Sequence, residues 1–173
     1  MAWRQKRKDV KEVRTMTLMQ VIRAIEGIAL SQQSINLVVE NDVFRLNGKP
    51  DARYGVFAWT QGQHTTSIDS NVMTYQFTFY YVDRLNEDKS NQIEVQSVGI
   101  QTLDNIIREL DAEGLYVSNN CSMRTFNQRF LDECAGVFCN VSIDVPVGSL
   151  CPENVMVTDG GFTFAFNDSF RIF

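Results

Sequence analysis

The sequence predicts an α+β fold, in which a mostly antiparallel sheet carries two main helices on one face and the chain has extended N- and C-terminal segments. Two stretches place apolar residues at helical spacing, a long central stretch alternates with period two, and turn residues separate short β-branched runs. The chain has 173 residues, 44% hydrophobic and 21% charged, which is typical of a folded globular protein. A chain of this length can bury a sizeable core as one domain.

The first helix is expected over residues 10–30. Its apolar residues recur at intervals of three and four, and they are Val10, Val13, Met16, Met19, Ile22, Ile25 and Ala29. Thr15 or Thr17 offers an alternative N-cap, which gives a shorter helix and leaves the basic residues before it loose.

Strands are expected at residues 35–39, 54–60, 72–82 and 137–145, with a polar loop over residues 61–70. The alternation predicts that large side chains form the inner face of the sheet, and that the helices around Ile22 and Ile107 pack on it. This predicted face consists of Phe57, Trp59, Tyr75, Phe77, Phe79, Val141 and Ile143. Residues 123–131 suit a helical turn as well as a bent strand.

A polar turn over residues 83–91 leads into the second predicted helix. Gly114 stands where a C-cap glycine is expected. The apolar stripe predicted to face the core is Ile93, Ser97, Ile100, Leu103, Ile107 and Leu110.

Charge and composition divide the chain into three parts. They are a basic N-terminal arm (residues 1–15), a core domain (16–147) and a Gly/Phe-rich C-terminal extension (148–173). The first fourteen residues carry a net charge of +4 and the remainder carries −9, from a total of 16 basic and 21 acidic residues. The arm either reaches for an acidic surface, such as a neighbouring copy or a polyanion partner, or is a frayed chain end. Its basic residues are Arg4, Lys6, Arg7, Lys8, Lys11 and Arg14.

The C-terminal extension is rich in phenylalanine. It is either a final core strand or an apolar segment that docks on another subunit, because exposed apolar patches mark interfaces. Together with the arm, its five phenylalanines form the predicted interface, and they are Phe162, Phe164, Phe166, Phe170 and Phe173.

No catalytic, cofactor-binding or metal-binding motif is recognisable, so no enzyme activity and no cofactor are expected. His64 lies in a polar loop without a nucleophile motif, and Gly160-Gly161 does not join a strand to a helix. The carboxylates at residues 83–88 lack the glycine of an EF-hand loop, and a solvated turn explains them.

The four cysteines lack the spacing of a zinc site and are expected to be reduced, metal-free and buried. They are Cys121, Cys134, Cys139 and Cys151. No stretch approaches the roughly 20 apolar residues of a membrane helix, and no signal peptide is recognisable, so a cytoplasmic protein without a membrane partner is expected.

The stretch TYQFTFYYVDRLNEDKSNQIEVQSVGIQTLDNIIREL, an aromatic strand ending in an acidic turn before a helix, resembles the tail-completion or tail-terminator-like neck proteins of tailed bacteriophages. The version it is similar to occurs in crAss-like and other phages of Bacteroidales hosts. The resemblance covers roughly residues 16–146. The basic arm and the Gly/Phe-rich extension have no counterpart in it.

The resemblance implies a structural virion protein that forms a cyclic ring between the portal and the tail, assembled in the host cytoplasm. Its implied partners are copies of itself, adjacent connector, portal-side or tail proteins, and DNA that passes through the lumen without sequence-specific binding. Two alternatives stay open from the residues alone. One is a nucleic-acid-binding accessory protein acting through residues 4–14. The other is a small enzyme or inhibitor using Cys134 or Cys139.

Overall fold

The computed structural model describes residues 16–40, 54–117, 121–127 and 133–147, and the backbone of two short strands at residues 157–158 and 161–162. The predicted basic arm, and the predicted extension apart from those two strands, lie outside the described residues. In chain order the elements are α1 (Leu18–Ser31), β1 (Leu37–Glu40), β2 (Val56–Gln61), β3 (Thr65–Ser67), β4 (Val72–Arg84), α2 (Gln92–Ala112), β5 (Tyr116–Val117), β6 (Met123–Asn127), β7 (Cys134–Pro146), β8 (Val157–Thr158) and β9 (Gly161–Phe162).

The predicted α+β class is confirmed. The main sheet has the order β1-β2-β4-β7-β5, with β3 beside β4 and β6 beside β7. The β1–β2 pair is parallel and the other pairs of this sheet are antiparallel. The strands β8 and β9 pair with each other as a separate two-stranded hairpin. Both long strands of the sheet, β4 and β7, lie at its centre, where they are paired over their full lengths.

Helix α1 begins later than the stripe of apolar residues suggested. Thr17 is the N-cap of α1. The backbone of Thr17 is extended, with ψ 159°, so the helical conformation begins at Leu18. The Gln20 amide donates to Thr17 Oγ1 at 3.4 Å, and the Thr17 amide donates to Gln20 Oε1 at 2.8 Å. This capping box satisfies two backbone donors that a longer helix would have bonded internally. The alternative N-cap at Thr17 is therefore confirmed, and the helix start at residue 10 is wrong.

Helix α2 ends at the predicted C-cap glycine, Gly114. Gly114 has φ +90°, which favours glycine, and its amide donates to the Asp111 carbonyl at 3.1 Å. The Leu115 amide donates to the Leu110 carbonyl at 3.1 Å, which completes a Schellman motif. This motif turns the chain from α2 into β5 at the edge of the sheet.

The face of α2 that packs on the sheet differs from the predicted stripe. Leu103 and Leu110 are buried as predicted, but Ile93 and Ile100 are 79% and 43% exposed. The buried face consists of Val95, Gly99, Thr102, Leu103, Ile106 and Leu110. It includes a glycine because α2 lies close to Tyr81 and Val137 of the sheet at Gly99, where a larger side chain does not fit. Thr102 is buried with its hydroxyl 2.7 Å from that of Ser34.

The predicted inner face of the sheet is confirmed as the main core. Phe57, Trp59, Phe77, Phe79, Val141 and Ile143 are each at most 2% exposed, and Tyr75 packs against them while partly buried. Helix α2 contacts β4 and β7 above this face, and α1 contacts α2 and β1. Ile22 and Ile107 are partly buried at the margin of the core.

Several strand boundaries differ from the predicted ones. The loop over residues 61–70 contains β3, whose residues are all exposed and pair with Val72–Thr74. The ambiguous stretch after residue 122 is a strand as far as Asn127, with its remaining residues outside the described part of the chain. Strand β7 begins at Cys134, earlier than predicted, because it pairs with β4 as far as Arg84.

Candidate assembly surfaces

The predicted interface residues cannot be placed among the described side chains. The basic residues from Arg4 to Arg14 lie outside the described part of the chain. Of the five phenylalanines, Phe162 has a described backbone, paired with Val157 in the β8–β9 hairpin. The prediction that the two chain ends form the interface therefore stays a prediction.

The described residues present apolar side chains on the outside of both helices. Met19 and Leu30 of α1 are 58% and 62% exposed, and Ile93 and Ile100 of α2 are exposed as given above. Residues 93 and 100 are seven positions apart and therefore lie on one side of the helix. Sequence reasoning identified the α2 residues as a stripe but assigned them to the core.

Beside this stripe, a groove of about 420 Å³ runs between α2 and the edge of the sheet at β5 and β6. Its floor is apolar, with Ile107 of α2, buried Val117 of β5 and half-buried Met123 of β6. Cys121 also lines it, and Asp104, Arg108 and Asp111 of α2 form the polar side. Ile93, Ile100 and Ile107 follow one another at intervals of seven, so the exposed stripe runs into the groove.

The groove lies at the acidic end of α2. Residues 104–113 contain four acidic residues and one basic residue, and the last turn of α2 contains no basic residue. Arg108 Nε donates to Asp104 Oδ2 at 2.7 Å, which raises the pKa of the exposed Arg108 guanidinium. A helix C-terminus carries partial negative charge and favours cations, so this end of α2 has an electrostatic preference for a positively charged partner.

A second cleft, of about 360 Å³, separates the opposite flank of α2 from the end of α1. Polar contacts cross it: Gln32 Nε2 donates to Glu109 Oε1 at 3.0 Å, and the hydroxyls of Ser34 and Thr102 are 2.7 Å apart. Thr102 is 4% exposed, so this hydrogen bond satisfies a buried hydroxyl. These contacts attach α1 to α2, and we assign the cleft a structural role.

The outer face of the β4–β7 pair changes from polar to apolar along its length. In the polar half, Thr74 Oγ1 donates to Asp144 at 2.6 Å and Thr78 Oγ1 donates to Asn140 at 3.0 Å. In the apolar half, the rings of Tyr80 and Phe138 are stacked with centroids 5.9 Å apart. That half forms a second, smaller cluster, which contains no residue from either helix, around Val56, Ala58, Val82, Phe126 and Cys134.

His64 lies in the loop where it was predicted, and its side chain is half-buried against the sheet. Its Nδ1 accepts from the Gln76 amide at 3.4 Å, and its ring packs edge-on against Tyr75 with centroids 5.3 Å apart. Its Nε2 is 3.3 Å from Gln61 Oε1. These contacts tie the loop before β3 to β4.

The acidic turn between β4 and α2 is held by its own side chains. Asp88 accepts from the Ser90 amide at 3.0 Å, and hydrogen bonds to Ser90 lower the pKa of the Asp88 carboxyl. Asn91 Oδ1 accepts from the Asn86 amide at 2.9 Å, and Asn91 Nδ2 donates to the Arg84 carbonyl at 3.1 Å. Within the described ranges, no group of three or more His, Cys, Asp or Glu residues is placed to hold a metal ion.

Cys121 and Cys139 lie in surroundings whose burial suppresses thiolate formation. Cys139 is a buried free thiol, and burial, with a smaller effect of nearby Cys121, raises its pKa to about 12. Burial also raises the pKa of half-buried Cys121. A nucleophilic cysteine needs a lowered pKa, so these two environments oppose such a role. Cys134 is 2% exposed, and Cys151 lies outside the described residues.

Neither described helix is long and apolar enough to cross a membrane. In comparisons with known proteins, no family model matches the chain. No curated protein matches it either.

Proposed function

We propose that this chain is a structural subunit of a ring in the head-to-tail connector, neck or upper tail of a tailed phage. There it would join neighbouring rings and form part of the passage for DNA. The observation that carries this proposal is the apolar stripe of α2, where Ile93 and Ile100 are exposed next to a groove with an apolar floor and a charged side. Solvent-exposed apolar surface that continues into a groove is typical of a protein–protein interface.

A closed ring needs two different complementary surfaces on each subunit, because each copy contacts one neighbour with each side. The chain offers such a pair on its two helices. Met19 and Leu30 are exposed on α1, which lies over β1 at one edge of the sheet. The stripe and groove of α2 lie toward β5 and β6 at the opposite edge. Side-by-side packing would bring the α1 side of one copy against the α2 flank of the next.

The charge distribution and the resemblance to phage neck proteins support the same proposal. The chain beyond residue 14 carries a net charge of −9, and an acidic wall would not retain DNA through phosphate contacts. The stretch that carries the resemblance spans β4 and α2, which form the centre of the fold.

The test is the size of the purified full-length protein. Mass photometry over a concentration series, with negative-stain electron microscopy, should show a closed ring. Changing Ile93→Glu and Ile100→Glu together should shift the population toward monomer, because burying two carboxylates in an apolar interface is costly. Both positions are exposed, so the variant should keep the unfolding temperature of the wild type.

The matched control is Ile68→Glu, the same change at a site that is 89% exposed in the turn between β3 and β4. It should leave the ring population unchanged. A wild-type protein that stays monomeric over the whole concentration range would contradict the proposed function. Tight, salt-dependent DNA binding by that monomer would favour the nucleic-acid-binding alternative.

A further inference from the structure

We propose that the groove between α2 and the β5–β6 edge is the docking site for the basic N-terminal arm, residues 1–15, of the neighbouring copy in the ring. This inference rests on the proposed function and specifies one of its interfaces. Three properties of the described residues carry it: the charge of the groove, its apolar floor and its position relative to α1.

Charge complementarity is the first property. The charged residues that line the groove are Asp104, Arg108 and Asp111, with a net charge of −1, and the first fourteen residues have a net charge of +4. Asp104 is already paired with Arg108, and Asp111 is the other carboxylate that a cation of the arm would meet. The end of α2 adds the partial negative charge of the helix C-terminus, and no basic side chain in its last turn offsets this charge. Cations of the arm would supply that missing positive charge.

The apolar floor is the second property. Ile107, Val117 and Met123 provide apolar surface beneath the charged rim. The arm combines its cations with Trp3, Val10 and Val13, so it can place apolar side chains on the floor while its cations face the carboxylates. A volume of about 420 Å³ is in the range of sites that enclose a group the size of a large side chain.

The position of the groove is the third property. An extended arm of 15 residues can span about 50 Å and so reaches a groove on either subunit. In the proposed ring, however, the α1 side of one copy faces the α2 flank of the next, which places a neighbour's arm beside the groove. The arm joins the domain at Thr17, the N-cap of α1, and α1 contacts β1. The groove is at β5 and β6, on the other edge of a sheet five strands across, which is about 19 Å at 4.8 Å per strand. Donor and acceptor thus lie on opposite sides of the subunit, which is the arrangement that generates a head-to-tail ring.

Cys121 gives a direct test because its half-buried side chain lines the groove. In the full-length chain with Cys151→Ser, the change Lys8→Cys places a thiol in the middle of the arm. A short bismaleimide should then join this introduced thiol to Cys121 of another copy and give a ladder of covalent oligomers on a denaturing gel. Adding Cys121→Ser should abolish the ladder. Introducing the thiol by Gln63→Cys, at an exposed site, in place of Lys8→Cys should give no ladder.

A charge exchange tests the predicted electrostatic attraction between the arm and the groove. In the crosslinking background, Asp111→Lys should slow the reaction about fivefold at low salt, since an exposed ion pair contributes up to about 1 kcal/mol. Changing Lys11→Glu in the same chain should restore much of the rate. High salt should reduce these differences.

The outcomes separate this inference from the proposed function. Labelling with N-ethylmaleimide checks that Cys121 reacts, because burial raises the pKa of its thiol. If the protein forms rings and Cys121 is labelled but no ladder forms, or if the charge changes have no effect at low salt, the arm does not dock in this groove and the ring proposal stands. If the thiol introduced in the arm reacts with Cys121 of the same chain, leaving the mass of a monomer, the groove holds the chain's own arm and the inference is wrong. If the wild-type protein is monomeric at every concentration, both proposals fail.

Discussion

The ring of Tyr81 in β4 lies directly beneath Gly99 of α2, so close that a Cβ atom at position 99 would come within 2.8 Å of Tyr81 Cδ1. The same atom would be 2.9 Å from Cγ2 of Val137 in β7. Tyr81 is 1% exposed, and its hydroxyl donates to Asp83 at 3.3 Å, so its ring has little freedom to move. The glycine therefore sets how closely α2 approaches the two central strands.

Gly99→Ala should lower the free energy of unfolding by up to about 2 kcal/mol. Overpacking of a core costs about 1–3 kcal/mol, which exceeds the roughly 1 kcal/mol that alanine gains over glycine inside a helix. Urea unfolding followed by circular dichroism measures the change. Gly27→Ala in α1 is the matched control, because no atom lies within 4 Å of its added Cβ. That variant should be more stable than the wild type by about 0.5–1 kcal/mol, and a loss at both sites would contradict the packing argument.

Phe77→Ala should cost about 3–5 kcal/mol, because Phe77 is 2% exposed between the rings of Trp59 and Phe79 in the main core. Gln76→Ala, one residue earlier and exposed on the other face of β4, should change stability by less than about 0.5 kcal/mol. Chemical denaturation of the two variants compares them directly. Similar losses at both positions would show that the inner face is wrongly assigned.

The stability of the protein should fall above about pH 9, in part because of Cys139. Its folded pKa, about 12, is raised by burial above the ordinary value of 9.0. The protonated Cys139 thiol therefore makes its full contribution to the free energy of unfolding below pH 9. This contribution is lost as the pH rises toward 12, by up to about 1.4 kcal/mol per pH unit. Burial and Asp83 also raise the pKa of Tyr81, which adds a loss of the same sign at higher pH.

The variant Cys139→Ala measures how much of the pH dependence of stability comes from the Cys139 thiol. Urea unfolding at pH 8, 9 and 10 should show a shallower loss of stability with pH in the variant than in the wild type. Equal slopes would indicate that the Cys139 thiolate is accommodated in the folded state.

Deleting residues 160–173 tests the predicted role of the C-terminal phenylalanines. If they dock on another subunit, the monomer should keep its unfolding temperature while ring formation or attachment to the next ring is lost. Each phenylalanine removed from water contributes roughly 1.5–3 kcal/mol, so the loss of assembly should be large. Differential scanning fluorimetry and mass photometry give the two readouts. Unfolding of the truncated monomer would instead identify the segment as part of the core.

Local patterns in the sequence were sufficient for the two helices, the long strands and one face of the sheet. Alternation along β4 and β7 places Phe77, Phe79, Val141 and Ile143 on one side regardless of what covers them, because successive residues of a strand point in opposite directions. Gly114 ends α2 through a conformation that other residues adopt at a cost. The groove carboxylates, Asp104 and Asp111, belong to an acidic stretch that is visible in the sequence, but the fold decides that they line the groove and that β5 and β6 complete it.

By itself, the sequence determined the α+β class, the order of the main elements and the inner side chains of the long strands, since these depend on periodicity and local backbone preference. Only the tertiary structure decided which stripe of α2 is buried. Gly99 packs on the sheet and Thr102 is buried with its hydroxyl bonded to Ser34, whereas Ile93 and Ile100 face solvent, although the isoleucines are more hydrophobic. The reason is that burial depends on the space across the contact: close approach of α2 to Tyr81 and Val137 admits small residues, and the large ones remain outside, where a partner can cover them.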